Sequence, residues 1–404
     1  MTRRPTRVFV ALGLLGITLL ALNLRTAVSS FSPIAHIVGE EIPLSPIALG
    51  VIGMLPPLVF ALAGIITPVL SRRLSLEAIV VASLAVMVAG FALRSLATSA
   101  WTIGLGTVIA LLGMGIGNVL MPAIVKARFP KHIGPLSSFY VIVIAVSAFL
   151  PPLFAAQLAE GQGWRISLAF WGAVAACSVI PWIILWATDR NSSAIGSRSK
   201  AAAPSPARSR TAWTIVALFG VCSLGSYALF AWLPQLLVEF KGLDPIAANL
   251  QLSLYAILGV PAALIAPAIV TNGRFIRPAA IAGVLLWAGG FLVILLGPAS
   301  AVTWGVAMTG LGQLLFPMSL TLIGVRAATV AGAARLSSFV QGWAYMIAAT
   351  GPLIVSILQS LTGSWTPALV FLVVVTLAAL PAALLVDRPN DYEAGVTAPA
   401  ERKA

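Results

Sequence analysis

The sequence predicts an all-α membrane protein whose twelve transmembrane helices form two pseudo-symmetric six-helix bundles. Three observations predict it. Of 404 residues, 60% are hydrophobic and only 9% charged, against roughly 25% charged in a soluble domain. Twelve apolar runs are each long enough to cross a hydrocarbon layer about 30 Å thick. The two halves of the chain also repeat each other. The excess of 24 Lys+Arg over 11 Asp+Glu, a net charge of +13, is scattered between the apolar runs and forms no continuous basic face. That excludes a nucleic-acid binder and a disordered chain. Cys177 and Cys222 lie inside apolar runs, which leaves neither a disulfide framework nor a closely spaced zinc set.

A spanning helix needs about 20 mostly apolar residues. The charged, Gly, Pro and Ser clusters between runs place the spans at 8–34, 46–71, 76–96, 101–126, 134–158, 164–187, 212–238, 246–270, 277–297, 302–325, 336–360 and 365–386. The first run follows Arg3, Arg4 and Arg7, as in a secretory leader. It is too long for a leader's apolar core, and the later spans need a first helix, so it is expected to be a retained span. With the N-terminus inside, 20 of the 24 cations share its side; Arg94, Arg165 and Lys241 fall on the other, and Arg25 lies within a span. Glu40, Glu41, Glu160, Glu239 and Asp244 also fall on the outer side. This asymmetry predicts a multi-pass plasma-membrane protein, of a bacterial inner membrane, with both termini cytoplasmic.

Residues 188–211 are basic, rich in Ser and Pro and too polar for lipid. They read as a flexible cytoplasmic linker between a bundle of residues 1–187 and one of residues 212–387, with 388–404 as a cytoplasmic tail. Leu136-Ser137-Ser138-Phe139 recurs as Leu336-Ser337-Ser338-Phe339, and Pro152 maps onto Pro352 at the same offset. Gly113 through Asn118 to Pro122 parallels Gly310 through Gln313 to Pro317. Matching spans are an even number apart, so the repeats share an orientation and are expected to be related by an axis along the membrane normal.

Charges inside hydrocarbon cost upward of about 2.5 kcal/mol and persist where they face a cavity or a partner. Arg25, in Asn23-Leu24-Arg25-Thr26, is the clearest case, and helical spacing brings Ser29, Ser32 and His36 on or near its face. One reading makes it a cavity-lining guanidinium for an anion or an electron-rich group, with Asn23 and Ser29 as further substrate contacts. The other has it snorkelling to the outer interface or capping backbone carbonyls. His36 is either an interfacial residue or a proton relay.

Asn118 and its counterpart Gln313 need polar partners and should face the interior, holding either substrate or a neighbouring helix. Gly113, Gly115 and Gly117 are expected to allow close helix packing, since the phosphate-loop Lys-Ser/Thr is absent. In span seven, Pro234 is expected to break the helix beside Tyr227, Trp232 and Gln235, making a binding wall or gate. Span eleven carries a polar stripe of Ser338, Gln341 and Tyr345, and Tyr140 of span five would complete an aromatic cage. Each aromatic has the alternative of plain packing or an interface belt. Arg72-Arg73, Lys126, Arg128 and Lys131 read as topology-setting inner-face anchors.

Asn23-Leu24-Arg25-Thr26-Ala27 with Ser29 and Pro33, the stretch running to Met121-Pro122-Ala123-Ile124-Val125-Lys126 and Phe129, and Tyr227 with Ala231-Trp232-Leu233-Pro234 resemble the cyanate permease and nitroimidazole transporter family of the major facilitator superfamily. Members often carry Pro where Thr26 stands here. The resemblance covers both halves outside the linker and tail. It implies the superfamily fold and alternating-access transport of a small anion or small polar heterocycle, such as cyanate or a nitroimidazole. An efflux transporter for drugs or other organic compounds is the alternative; one for lipophilic cations would call for an acidic cavity. No carboxylate lies at membrane depth, which leaves facilitated diffusion, exchange, or coupling through the substrate's own protonation or His36. A membrane enzyme is disfavoured because the spans carry no His-Glu-x-x-His or paired carboxylates. No cofactor or metal is expected. The expected partners are a small-molecule substrate and the lipid bilayer, the protein acting as a monomer.

Overall fold

The computed structural model describes residues 7–71, 73–129, 131–188, 205–327 and 330–387. Arg72, most of the 188–211 linker and the 388–404 tail therefore lie outside the described residues. The described chain is helical throughout, with no strand, and twelve helices are long and apolar enough to cross a membrane.

The first span is broken into α1 (Arg7–Asn23), α2 (Thr26–Ser29), a 3-10 turn (Ser32–Ile34) and α3 (Ala35–Glu41). Then follow α4 (Pro46–Leu70), α5 (Leu76–Ser95), α6 (Ala100–Arg128), α7 (Ile133–Gln162) and α8 (Trp164–Thr188). After the linker come α9 (Arg210–Lys241), α10 (Pro245–Asn272) and α11 (Ile276–Leu296). Span ten is split into α12 (Val302–Gly312) and α13 (Leu315–Val325); α14 (Val330–Thr362) is unbroken, and span twelve is split into α15 (Thr366–Leu377) and α16 (Leu380–Leu385). The boundaries match the apolar runs to within a few residues.

Local chemistry sets the ends. Ser45 and Ser75 cap α4 and α5 by accepting from Ala48 N and Ala78 N, and Ser99 with Thr102 forms a capping box at the start of α6. Gly163, Gly242, Gly273 and Gly363 follow helix ends at positive φ, a conformation that costs a glycine nothing.

The breaks have identifiable causes. Pro317 has no N–H to offer the Gln313 carbonyl, which accepts instead from Phe316 N at 3.0 Å, and the helix parts at Gln313 and Leu314. Pro381 is the second residue of α16, in a first turn where its missing N–H costs nothing. The break expected at Pro234 is not there: α9 stays helical from Arg210 to Lys241. Neighbouring helices commonly hold a proline-bearing spanning helix together in this way.

The described residues form two compact units. One comprises residues 7–188 with Phe230–Val238 and Asp244–Ile257; the other comprises residues 205–229, Glu239–Leu243 and residues 258–387. In the first unit, α5 and α6 meet backbone to backbone. A Cβ on Gly90 would come 2.2 Å from Ala110 N, and one on Gly113 would come 2.3 Å from Ser83 O. The second unit repeats the device between α11 and α12, where a Cβ on Gly290 would come 2.6 Å from Gly305 O. Small residues of this kind let spanning helices gain dispersion contact where no water-driven force operates.

Candidate functional site

The site is built on the break in span one. α1 ends at Asn23, and Arg25 takes φ −135°, ψ −4° before α2 begins. No proline is involved; side chains hydrogen-bond the carbonyls around the break. Thr26 Oγ1 donates to Asn23 O at 3.1 Å, Arg25 Nη1 to Leu24 O at 3.1 Å and Ser29 Oγ to Arg25 O at 3.2 Å. Asn23 Nδ2 donates to Leu19 O at 2.8 Å and to Ser178 Oγ of α8 at 2.9 Å. Asn23 and Ser29 are fully buried, so their polar atoms hold the bend from behind.

Arg25 itself is half-buried. Its guanidinium carbon stands 5.2 Å from the ring centre of Phe60, near the middle of α4. Phe60 in turn sits against Gly115: a Cβ there would come 3.1 Å from Phe60 Cδ1 and 2.5 Å from Ala63 Cβ. A Cβ on Gly117 would come 3.0 Å from Leu24 Cδ2. Phe60, Gly115 and Gly117 are all central in their helices, so the break that carries Arg25 lies beside the middle of α4 and α6. The glycines that the sequence assigned to packing are thus what bring α4 and α6 up to the break.

Among the described residues, every Asp and Glu that lies in a spanning helix is within a few residues of its end: Glu77, Glu160 and Glu239. Glu77 is paired with Arg128 Nη2 at 2.5 Å, and Glu239 accepts from Trp365 Nε1 at 2.9 Å. Arg128 is therefore an α5–α6 clamp as well as the expected inner-face anchor. Glu41, beyond the spans, is paired with Arg165. Its hydrogen bond to that guanidinium holds the carboxyl below its ordinary range, partly offset by desolvation.

The other candidates are distributed as follows. His36 is exposed on α3, past the break. Asn118 and Tyr140 are half-buried in α6 and α7. Trp232 is buried and Gln235 half-buried in the part of α9 that belongs to the first unit. Tyr227, Gln313, Gln341 and Tyr345 belong to the second unit. There Gln341 Nε2 donates to Ser337 Oγ at 2.7 Å, which keeps its amide on its own helix. Tyr345 packs edge-on to Phe219 at 5.5 Å, and Phe219 meets Phe316 at 5.0 Å, so the aromatic cluster here is Phe219, Phe316 and Tyr345. Gln313, at the span-ten break, would have its Oε1 3.0 Å from a Cβ on Gly259 of α10.

Arg94, counted among the outer-side cations, is completely buried, donating from Nη1 to Ala27 O at 3.3 Å between the rings of Phe31 and Phe91. The signal was available: Met87, Gly90, Phe91 and Arg94 follow the spacing of one helix face, and that face is the buried one. Phe60 was also missed, because a lone aromatic in an apolar span carries no mark of its partner.

Residues 13–340 match the family model of the Major Facilitator Superfamily. The chain is 28% identical over 364 residues to the 2-nitroimidazole transporter of Escherichia coli K12, covering 90% of this chain and 92% of that one. It is 24% identical over 357 residues to the cyanate transport protein CynX of the same organism, covering 87% and 91%. Among solved structures, a bacterial homologue of the human lysosomal transporter Spinster, inward-facing and occupied, superposes with a TM-score of 0.78 at 16% identity over 96% of this chain and 98% of that one. That likeness shows the fold.

Proposed function

Because the chain belongs to the Major Facilitator Superfamily, we propose that it is a secondary transporter that moves a small anion or small polar molecule, of the cyanate or nitroimidazole kind, by alternating access. The observation that carries the reading is Arg25, a guanidinium at a helix break beside the middle of α4 and α6, with no carboxylate in the interior of any described span. One of its donors is spent on Leu24 O. The planar fork has further N–H groups for an anion or a nitro group. Phe60 screens one side of the guanidinium and spares it part of the cost of leaving water. The names of the two Escherichia coli relatives support this substrate class.

Asn23, Thr26 and Ser29 fix the bend that presents Arg25. Asn118, Tyr140, Tyr227, Trp232, Gln235, Gln313, Gln341 and Tyr345 remain the proposed polar and aromatic contributors. Both termini are proposed to be cytoplasmic in a bacterial inner membrane, from the distribution of cations. Uptake into proteoliposomes tests the reading, with a panel of cyanate, other small anions, nitroimidazoles and an organic cation offered to wild type and Arg25→Ala. Saturable uptake of an anion or nitroheterocycle that falls at least tenfold in Arg25→Ala is expected. Uptake confined to the organic cation, or indifferent to Arg25→Ala, would overturn it.

A further inference from the structure

Arg94 is enclosed more completely than Arg25, with no exposed surface at all. Its shaft passes Gly106 of α6, where a Cβ would come 2.8 Å from Arg94 Cγ, so a glycine makes the room it occupies. Of its donor atoms only Nη1 has a partner, the Ala27 carbonyl, while Nε and Nη2 are buried without one. Among the described residues no ion pair reaches it: Glu77 and Glu41, the acids paired in this unit, are held by Arg128 and Arg165. The rings of Phe31 and Phe91, 5.4 and 5.8 Å from its guanidinium carbon, contribute only weak quadrupole attraction.

Two polar groups of the segment that carries Ala27 and Phe31 are short of partners too. Ser30 Oγ and Ser32 Oγ are buried with no hydrogen bond. The backbone is helical at Ser30 and at Phe31. Helical spacing therefore puts Ser30 on the face of Ala27 and Phe31, the two residues of this segment that Arg94 meets. A guanidinium can only donate and a hydroxyl can donate, so the cluster offers several donors, a full positive charge and no negative group. A buried charge in that condition is strongly disfavoured unless a counter-charge joins it.

We infer that Arg94 and Ser30, in the fold between α2, α5 and α6, form a binding site for a small monovalent anion of halide or pseudohalide size, separate from Arg25. The anion supplies acceptors for Nε, Nη2 and the Ser30 hydroxyl and ties the bent segment of span one to α5. The site is structural and holds whether or not Arg25 recognises a transported anion.

Bromide is the probe. Full-length protein in detergent is compared in gluconate and in bromide at constant ionic strength, and crystals grown in bromide are examined for anomalous scattering. A saturable rise of several degrees in Tm with bromide is expected, together with an anomalous peak within hydrogen-bond reach of Arg94 Nε or Nη2. Arg25→Ala retains the rise, and adding Arg94→Gln to it abolishes the rise. Should that double variant fail to fold, Ser30→Ala added to Arg25→Ala raises the half-saturating bromide concentration severalfold. No saturable bromide effect in wild type, no peak beside Arg94, an effect persisting in a folded Arg25→Ala, Arg94→Gln double variant or unaltered when Ser30→Ala is added to Arg25→Ala, or one lost in Arg25→Ala alone would each overturn the site.

Discussion

The guanidinium of Arg25 lies over the ring of Phe60, 5.2 Å from centre to carbon, and Gly115 is the residue whose missing side chain lets that ring approach. Arginine, ring and glycine come from three different spans, so the position of the charge depends on how α4 and α6 pack around the break. A cation–π contact of this kind contributes about 0.5–2 kcal/mol. Phe60→Leu keeps an apolar side chain while removing the quadrupole. It is expected to raise the KM for the transported anion by a few fold with little change in Tm. An unchanged KM would mean that the ring only fills space.

Helix contact in the first unit depends on where each glycine sits. A Cβ at Gly113 meets the backbone carbonyl of Ser83, which cannot swing aside, whereas at Gly117 it meets the flexible end of Leu24, and at Gly104 nothing lies within 4 Å. Gly113→Ala is expected to cost about 1–3 kcal/mol, seen as a clear drop in Tm. Gly117→Ala should cost less than that, and Gly104→Ala should be neutral or slightly stabilising. Thermal unfolding of the three variants in one detergent checks the order.

Restoring an N–H at position 317 gives the Gln313 carbonyl back its ordinary helical partner. Pro317→Ala is expected to join α12 to α13 and to stabilise the fold by about 1 kcal/mol, the net worth of one hydrogen bond. It also turns the Gln313 side chain to a new direction. A raised Tm with slower transport would tie the break to function, and amide exchange at residue 317 would report the new bond.

Glu41 and Arg165 bear on acid stability. The Glu41 carboxyl is held below its usual value of 4.5 by the Arg165 hydrogen bond. Its contribution is therefore complete above that value and disappears as the pH falls through the lowered one. Both side chains are well exposed, so the effect is small. Glu41→Gln should leave Tm at pH 7 nearly unchanged and flatten part of the loss of Tm below about pH 5.

Exposed on α3, beyond the spanning part of the first helix, His36 is poorly placed to pass protons. His36→Ala is expected to leave the response of uptake to an imposed pH gradient intact. Collapse of that response would restore the relay.

The spans, the repeats and the packing glycines were legible in the sequence because they follow from hydropathy and from spacing along one helix. The break at Leu24 and Arg25 was not. It is stabilised by Thr26 and Arg25 side chains on backbone carbonyls, and these residue types are common in unbroken helices too. Pro234 misled for the converse reason: a proline removes one hydrogen bond, and whether the helix parts is decided by neighbours that the local sequence does not name. Pro122 and Pro317 make the point together. Each follows an amide residue by four positions, yet α6 continues through Asn118 while span ten parts at Gln313. The burial of Arg94 was not legible from its place one residue from a helix end. It depends on Ala27, Phe31 and Gly106, which the local sequence does not name.

Transport kinetics of Arg25 variants in proteoliposomes test the central claim most directly, using the anion that wild type takes up best. Loss of hydrogen bonds to a charged group costs about 1.5–3 kcal/mol, so Arg25→Ala should lose roughly ten- to a hundredfold in kcat/KM. Arg25→Lys, with charge but no fork, should recover only part of it. Wild-type kinetics in a correctly folded Arg25→Ala would contradict the account.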